Sequence, residues 1–515
     1  MKYPRSAGIL LHITSLPGNY GIGDLGPSAF EFADFLAKSH QTIWQILPVC
    51  PPASGHSPYS SYSVFAGNVD LISPDALIAA GWASPADLEI PDSSTATSTQ
   101  SGRVNFSLAK QVRAPFFRKI FERVQSKLPD YPAFAQFLKS NAYWLDDFSL
   151  FEAIGGSQGN FQWHDWPKEL AIRVPIGLED FRVNHPSEIL YSQFLQFLFH
   201  QQWQALKEYC NGLGIQIYGD LPIFVDHQSA DVWANQVQFD LDSSGKPVFV
   251  AGVPPDYFSE TGQKWGNPLY RWDVMQRNGF RWWKQRFRRS LDQFDIIRVD
   301  HFRGFEAYWQ IPADAPNAID GQWIKGPGEK PFRAAEEEFG ELPIVAEDLG
   351  LITPEVDALR DALDFPAMRV MQFGYGSETN TFHRPDCYPE HCVAYTGTHD
   401  NDTVAGWYQS QMESGEETTR RLLSEAFAET SLPRHLAMIQ TVLNSRANTA
   451  IIPMQDYLGL GNDARMNLPA TVDGNWSWQL QPSDRWQALA PVIRQLTDTT
   501  HRYACVPTGA ANSGS

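Results

Sequence analysis

Short, nearly uninterrupted apolar runs recur along the chain, each bounded by turn residues. They are Gly8–Ile13 (GILLHI), Thr42–Leu47 (TIWQIL), Ile215–Gly219 (IQIYG), Phe294–Val299 (FDIIRV), Pro343–Ala346 (PIVA), Met368–Phe373 (MRVMQF), Cys392–Tyr395 (CVAY) and Thr449–Met454 (TAIIPM). Runs this short and this apolar read as parallel strands covered on both faces, because a strand with one wet face would alternate. The stretches Ser28–Ser39, Tyr191–Leu213, Trp282–Leu291, Pro354–Leu363 and Glu416–Asn444 between them predict helices. Eight strands interleaved with helices predict an α/β fold, the (β/α)8 TIM barrel.

Two connections, after the second and third strands, are too long for a simple crossover. They read as insertions on a single catalytic barrel spanning residues 1–515: a mostly helical one at 70–205 and one at 221–290. The first contains the polar tract Ser93–Ser101, a loop by composition. The second holds Gly252–Gln263 (GVPPDYFSETGQ), read as an active-site lid in which Pro254 and Pro255 stiffen the root, Tyr257 and Phe258 give apolar cover and Gly262 permits a hinge. The small, polar tail Gly509–Ser515 reads as disordered.

Composition narrows the partners. A net charge of -19 argues against nucleic acid or an anionic membrane as partner and suits neutral substrates. Aromatic residues make up 13% of the chain, with 17 tryptophans; such rings pack cores and also stack on the apolar faces of sugars. Five cysteines without CxxC spacing imply neither a disulfide framework nor a zinc cluster, and point to a reducing compartment. The apolar stretch near the start, Ile9–Leu11, is too short for a signal peptide, and no run is long enough to span a membrane. The expected location is the cytoplasm.

In this fold, chemistry sits where strands end and βα loops begin. Asp220 closes the third strand, Arg298-Val299-Asp300-His301 the fourth, Glu347-Asp348 the fifth and Thr398-His399-Asp400-Asn401-Asp402 the seventh. Taken singly, Asp220 and Asp348 read as N-caps of the helices that follow. Asp300, Glu347 and Asp400 together would set three carboxylates around one mouth, as retaining glycoside chemistry requires: a charged nucleophile and a neutral proton donor, kept apart in pKa by their surroundings. Arg298, two residues before Asp300, shares its strand face. His12, His301 and His399 lack the HxH pair of a barrel metallohydrolase and read as hydroxyl-binding imidazoles. Gly18–Gly23 (GNYGIG) and Gly459–Gly461 (GLG) lack phosphate-loop spacing and read as ordinary loops.

Five segments, IYGDLPIFVDHQSADVW, GVPPDYFSETGQKWGNPLYRW, IIRVDHFRGFEAYW, IVAEDLG and TGTHDNDT, resemble in content and order the 4-α-glucanotransferases of glycoside hydrolase family 77, the amylomaltases or disproportionating enzymes. The likeness runs from SAGILLHITSLPGNYGIGDLG to ARMNLPATVDGNWSWQL. It implies Asp300 as nucleophile, Glu347 as acid/base and Asp400 as the carboxylate holding the donor-sugar hydroxyls. Asp220, Arg298, His301 and His399 would support the donor sugar. Asp256, Gln263 and Trp265 would line the glucan cleft, with Tyr59 and Asn467 as further contacts. The implied partners are malto-oligosaccharides, glucose and starch- or glycogen-derived glucans, with no cofactor and no metal. Where many members read Pro-His-Asn-Tyr this chain has Pro385-Asp386-Cys387-Tyr388, which leaves acceptor preference open. An α-amylase-type hydrolase is the nearest rival; it usually carries Asn-His after the third-strand aspartate, where this chain reads LPIFVD. A catalytically dead glucan-binding scaffold would have lost a carboxylate, and all three are present.

Overall fold

The computed structural model describes residues 4–53, 55–91, 102–255, 259–471 and 473–503. Twelve strands form in chain order: β1 Ser6–Leu10, β2 Ile43–Gln45, β3 Gln216–Pro222, β4 Phe249–Val253, β5 Gln263–Pro268, β6 Ile296–Asp300, β7 Ala307–Pro312, β8 Gln322–Lys325, β9 Ile344–Ala346, β10 Ala367–Val370, β11 Cys392–Tyr395 and β12 Thr449–Pro453. Eight of them make one parallel sheet in the order β10-β11-β12-β1-β2-β3-β6-β9. These are the eight apolar runs of the sequence. Strands β1, β2, β9, β10, β11 and β12 are buried along their whole length, which is why they show no alternation.

The ends of this sheet meet. Ala346 N–H donates to Pro366 C=O at 3.0 Å, and the Asp348 carboxylate accepts Met368 N–H at 2.7 Å while pairing with Arg360 at 2.6 Å. A (β/α)8 barrel results, closed between β9 and β10 largely through one buried side chain. The two chain ends are joined by β1 and β12 in register from Ser6↔Thr449 to Leu10↔Pro453.

Several expectations shift. The first strand begins earlier and ends at Leu10, and Ile13–Ser15 is a 3-10 turn. The sixth ends at Val370 and passes into a 3-10 turn at Met371–Gly374. Glu416–Asn444 is two helices, Glu417–Phe427 and Arg434–Asn444, separated by the irregular stretch 428–433, whose last residue, Pro433, is the N-cap of the second. Neither Asp220 nor Asp348 is a helix cap. Asp220 lies inside β3, and the helix that follows, Ala230–Ala234, is capped by Ser229; Asp348 is the barrel closure just described.

Between β2 and β3 the long helices are Phe106–Val124, Pro132–Gln158 and Pro186–Gly212. A second sheet, not expected from the sequence, has order β5-β4-β7-β8 with every pairing antiparallel. Strands β4 and β5 come from the connection after β3, and β7 and β8 from the connection after β6. Val250 faces Ile311 across β4–β7, and Trp309 faces Trp323 across β7–β8. Ser93–Ser101 and the tail Gly509–Ser515 lie outside the described residues. Among the described residues no helix is long and apolar enough to cross a membrane.

Candidate active site

The parallel strands end at one mouth, and the predicted side chains gather there in three connected groups. The first is a charge chain across β3 and β6. Arg298 is buried on β6, and its Nη1 lies 2.7 Å from Asp220 Oδ2 and 2.8 Å from Asp300 Oδ1. Tyr59, from the loop after β2, donates its hydroxyl to the same Asp220 oxygen at 2.8 Å. The β3–β6 register sets Asp220 opposite Arg298, so the pleat alone places this pair. Asp300 is the last residue of β6 and keeps 27% of its side chain exposed to the cleft, while the Asp220 side chain is fully buried. Burial pushes the Asp220 carboxyl above the usual range, against the opposing charge of Arg298. Burial also acts against the guanidinium's charge, but Asp220 and Asp300 outweigh it and hold Arg298 firmly protonated.

One guanidinium therefore neutralises two carboxylates in a place of little water. Arg298→Met should leave Asp220 buried and uncompensated, at a cost of ~3–5 kcal/mol. Denaturant unfolding would show this, and adding Asp220→Asn should recover part of it. An Arg298→Met protein as stable as the parent would contradict the pairing.

The second group centres on Glu347. His301, immediately after Asp300, adopts φ 51°, an uncommon left-handed conformation for a residue with a side chain. Its N–H donates to Glu347 Oε2 at 2.7 Å, and Leu349 N–H donates to Oε1 at 3.0 Å. The backbone beside Asp300 thus fixes the Glu347 carboxyl. Burial raises that carboxyl to about 7; Arg298 opposes the rise and the negative charge of Asp300 adds to it. The His301 ring is neutral, driven down to about 3 by burial and then by Arg303, and its Nε2 has no partner. Trp265, on β5 and 38% exposed, stands edge-on to it with ring centroids 4.9 Å apart. Gln263 Oε1 accepts the Trp265 indole N–H at 3.2 Å.

The third group is the loop after β11. Asp400 Oδ1 accepts Asn467 Nδ2 at 2.6 Å and Oδ2 lies 3.3 Å from His399 Nε2. Burial pushes the Asp400 carboxyl up, but His399, Asn467 and Arg298 prevail and hold it at about 2. For His399, burial favours the neutral ring and Asp400 overrides it, leaving the imidazole above its ordinary range. The Tyr59 ring stacks on His399 with centroids 5.1 Å apart.

His12, just beyond β1, is neutral through burial and the nearby His399, and its buried Nδ1 is unpaired. Asp220 Oδ1 is likewise buried without a partner. Among the described residues no group of three His, Cys, Asp or Glu side chains is arranged to hold a metal ion.

Asp256, Tyr257 and Phe258 lie outside the described residues. At the end of their segment Gly262 (φ 67°) is packed tightly: a Cβ there would lie 2.4 Å from Val253 C=O, and Ser259 Oγ donates to Gly262 C=O at 2.7 Å. It is a close backbone approach in the β4–β5 hairpin.

Two contributors escaped the sequence reading. Arg465 reaches from the loop after β12 to three acceptors: the Asp402 carboxylate, Asp400 C=O at 2.6 Å and Asn467 C=O at 2.7 Å. Trp476 lies 5.7 Å from the Tyr59 ring and 6.0 Å from that of His399. The only signal for either was position, two residues before Asn467 and within the tryptophan-rich GNWSW.

A sequence profile of the family described as 4-alpha-glucanotransferase matches residues 11–484. The chain belongs to this family. A 4-alpha-glucanotransferase of Thermus thermophilus is 44% identical over 510 residues, covering 98% of this chain and 100% of the relative. One from Synechocystis is 45% identical over 499 residues, covering 96% and 97%. Among solved structures, the amylomaltase from Streptococcus agalactiae in complex with acarbose superposes with a TM-score of 0.91 at 36% identity, over 97% of this chain and all of that one. The family assignment thus rests on sequence and on the complete barrel together.

Proposed function

We infer that this protein is a 4-alpha-glucanotransferase: it cleaves a 1,4-α-glucan and passes the glycosyl segment to the 4-hydroxyl of glucose or another malto-oligosaccharide, with retention. The observation that carries the mechanism is the split between two neighbouring carboxyls. Glu347 is raised to about 7 inside the mouth, and Asp300 is ion-paired to Arg298 beside it. An acid and a nucleophile need different environments, and these two have them.

In the proposed first step an Asp300 oxygen attacks the anomeric carbon, the glycosidic C–O bond breaks, and Glu347 gives its proton to the leaving oxygen. In the second the acceptor's 4-hydroxyl attacks the same carbon, its proton passes to Glu347, and the bond to Asp300 breaks. Two inversions leave the α configuration. Asp400, Asn467 and His399 present a charged, preformed set of groups to the donor-sugar hydroxyls, and the unpaired nitrogens of His12 and His301 add two more positions. Trp265 and Tyr59 offer ring faces for stacking along the glucan. The same reading takes 1–515 as one catalytic barrel, with 70–205 and 221–290 as its elaborations, working in the cytoplasm on oligosaccharides released from starch or glycogen.

Maltotriose alone tests the activity. Transfer conserves the number of reducing ends, so glucose and a ladder of longer maltodextrins should appear while total reducing sugar stays constant. A steady rise in reducing ends without longer products would identify a hydrolase instead.

A further inference from the structure

Beneath the mouth lies a further carboxylate that the proposed mechanism does not use. Asp456 sits in the helical turn Met454–Tyr457 after β12 and is 1% exposed. Its Oδ2 accepts the Thr396 hydroxyl at 2.5 Å, and its Oδ1 accepts Val404 N–H at 2.7 Å. Thr396 is the first residue beyond β11, and Val404 is the first residue of the helix Val404–Ser414. The two oxygens of one side chain therefore hold the two ends of the segment that carries His399 and Asp400.

Packing alone gives no reason for a carboxylate here. Burial drives it to about 7, against the two hydrogen bonds it accepts, and no cation contributes to its charge balance among the described residues. Such a group is costly to bury unless its lone pairs are used. One of them meets a helix N-terminus, where the backbone N–H has no intrahelical acceptor and negative charge is favoured. Asp456 also lines a partly open pocket together with His399, Asn401, Thr403 and Arg465, so removing its carboxyl would give the loop room to move.

Resting on the reading of Asp400 as the carboxylate that holds the donor sugar, we propose that Asp456 is a positioning residue. Its two oxygens clamp the ends of the Thr396–Val404 loop and so set where His399 and Asp400 stand in the cleft. Misplacement of a reacting constellation by an ångström costs rate more than it costs binding.

The test measures kcat and KM for maltotriose disproportionation, with thermal unfolding, in Asp456→Ala, Asp456→Asn, Thr396→Val and, alongside, Asp400→Asn. Asp456→Ala should lose kcat by about 10²-fold with KM changed by no more than about 3-fold. Asp456→Asn should keep at least about a third of kcat, since its amide oxygen accepts Val404 N–H and its nitrogen donates to the Thr396 hydroxyl. Thr396→Val, which frees one end of the loop without opening a large cavity, should lose about 10-fold. A folded Asp456→Ala protein with parental kcat would overturn the clamp, as would equal losses in Asp456→Ala and Asp456→Asn. If Asp456→Ala does not fold, parental kcat in Thr396→Val overturns it. Parental turnover in Asp400→Asn would instead sink the reading of Asp400. Loss there with none in Asp456→Ala or Thr396→Val would sink the clamp alone.

Discussion

Asp300→Ala should abolish turnover, lowering kcat by about 10⁵-fold or more, while the protein stays folded. The change removes the atom that would form the covalent intermediate and the negative charge facing the developing oxocarbenium ion. Both losses fall on the transition state. Folding should persist because the side chain reaches into the cleft and Arg298 keeps Asp220 as a partner. Relieved of Asp300, the guanidinium remains charged and satisfied. The measurement is disproportionation of maltotriose at high enzyme concentration, with circular dichroism to verify the fold. A folded mutant that keeps a tenth of the activity rules out the nucleophile assignment and would direct attention to Asp400.

The second large effect concerns the proton. As the proposed acid, Glu347 must be protonated to start the reaction, and burial holds it at about 7. The sign follows: while Asp300 stays ionised, activity is highest below that value and declines as pH rises through it, because the carboxyl loses the proton the leaving oxygen needs. The kcat/KM profile should accordingly bend downward near neutrality. Glu347→Gln should lower turnover of maltotriose by about 10³-fold, and the residual rate should lose the bend. A maltosyl donor with fluoride as leaving group needs no protonation, so the mutant should still form the glycosyl-enzyme from it. Equal losses on the fluoride and on maltotriose would show that Glu347 serves binding or structure and is not the acid.

The barrel was legible because its strands are buried on both faces; CVAY, PIVA and TAIIPM are almost wholly apolar and show no alternation. The second sheet was not. FVAGV, QKWGNP and AYWQIP are short and carry Gly or Pro, QWIK is shorter still, and the pairing that joins their two hairpins into one sheet, β4 with β7, links connections on opposite sides of β6, so no local pattern reveals it. At the site, carboxylates at strand ends stand out because strand ends are where this fold does chemistry. Arg465 does not, because its importance lies in three acceptors brought to it from two loops, and its neighbours in sequence describe only one of them. Asp348 misled for the opposite reason. An acidic residue after a strand has a common local use as a cap, and here a nonlocal one, barrel closure, takes precedence.

Because β4 pairs with β7, the connections on either side of β6 cannot be inherited separately. A chimaera that imports only residues 223–290 from a homologue would replace Val250, Ala251 and Gly252 while their partners Ile311, Gln310 and Trp309 stayed behind. Recombination of such chains has its natural crossover points before residue 223 and after residue 325, outside both halves of the sheet. Within that window the stretch that carries Trp265, the Asp300 strand and the β7–β8 hairpin would have to travel as one block.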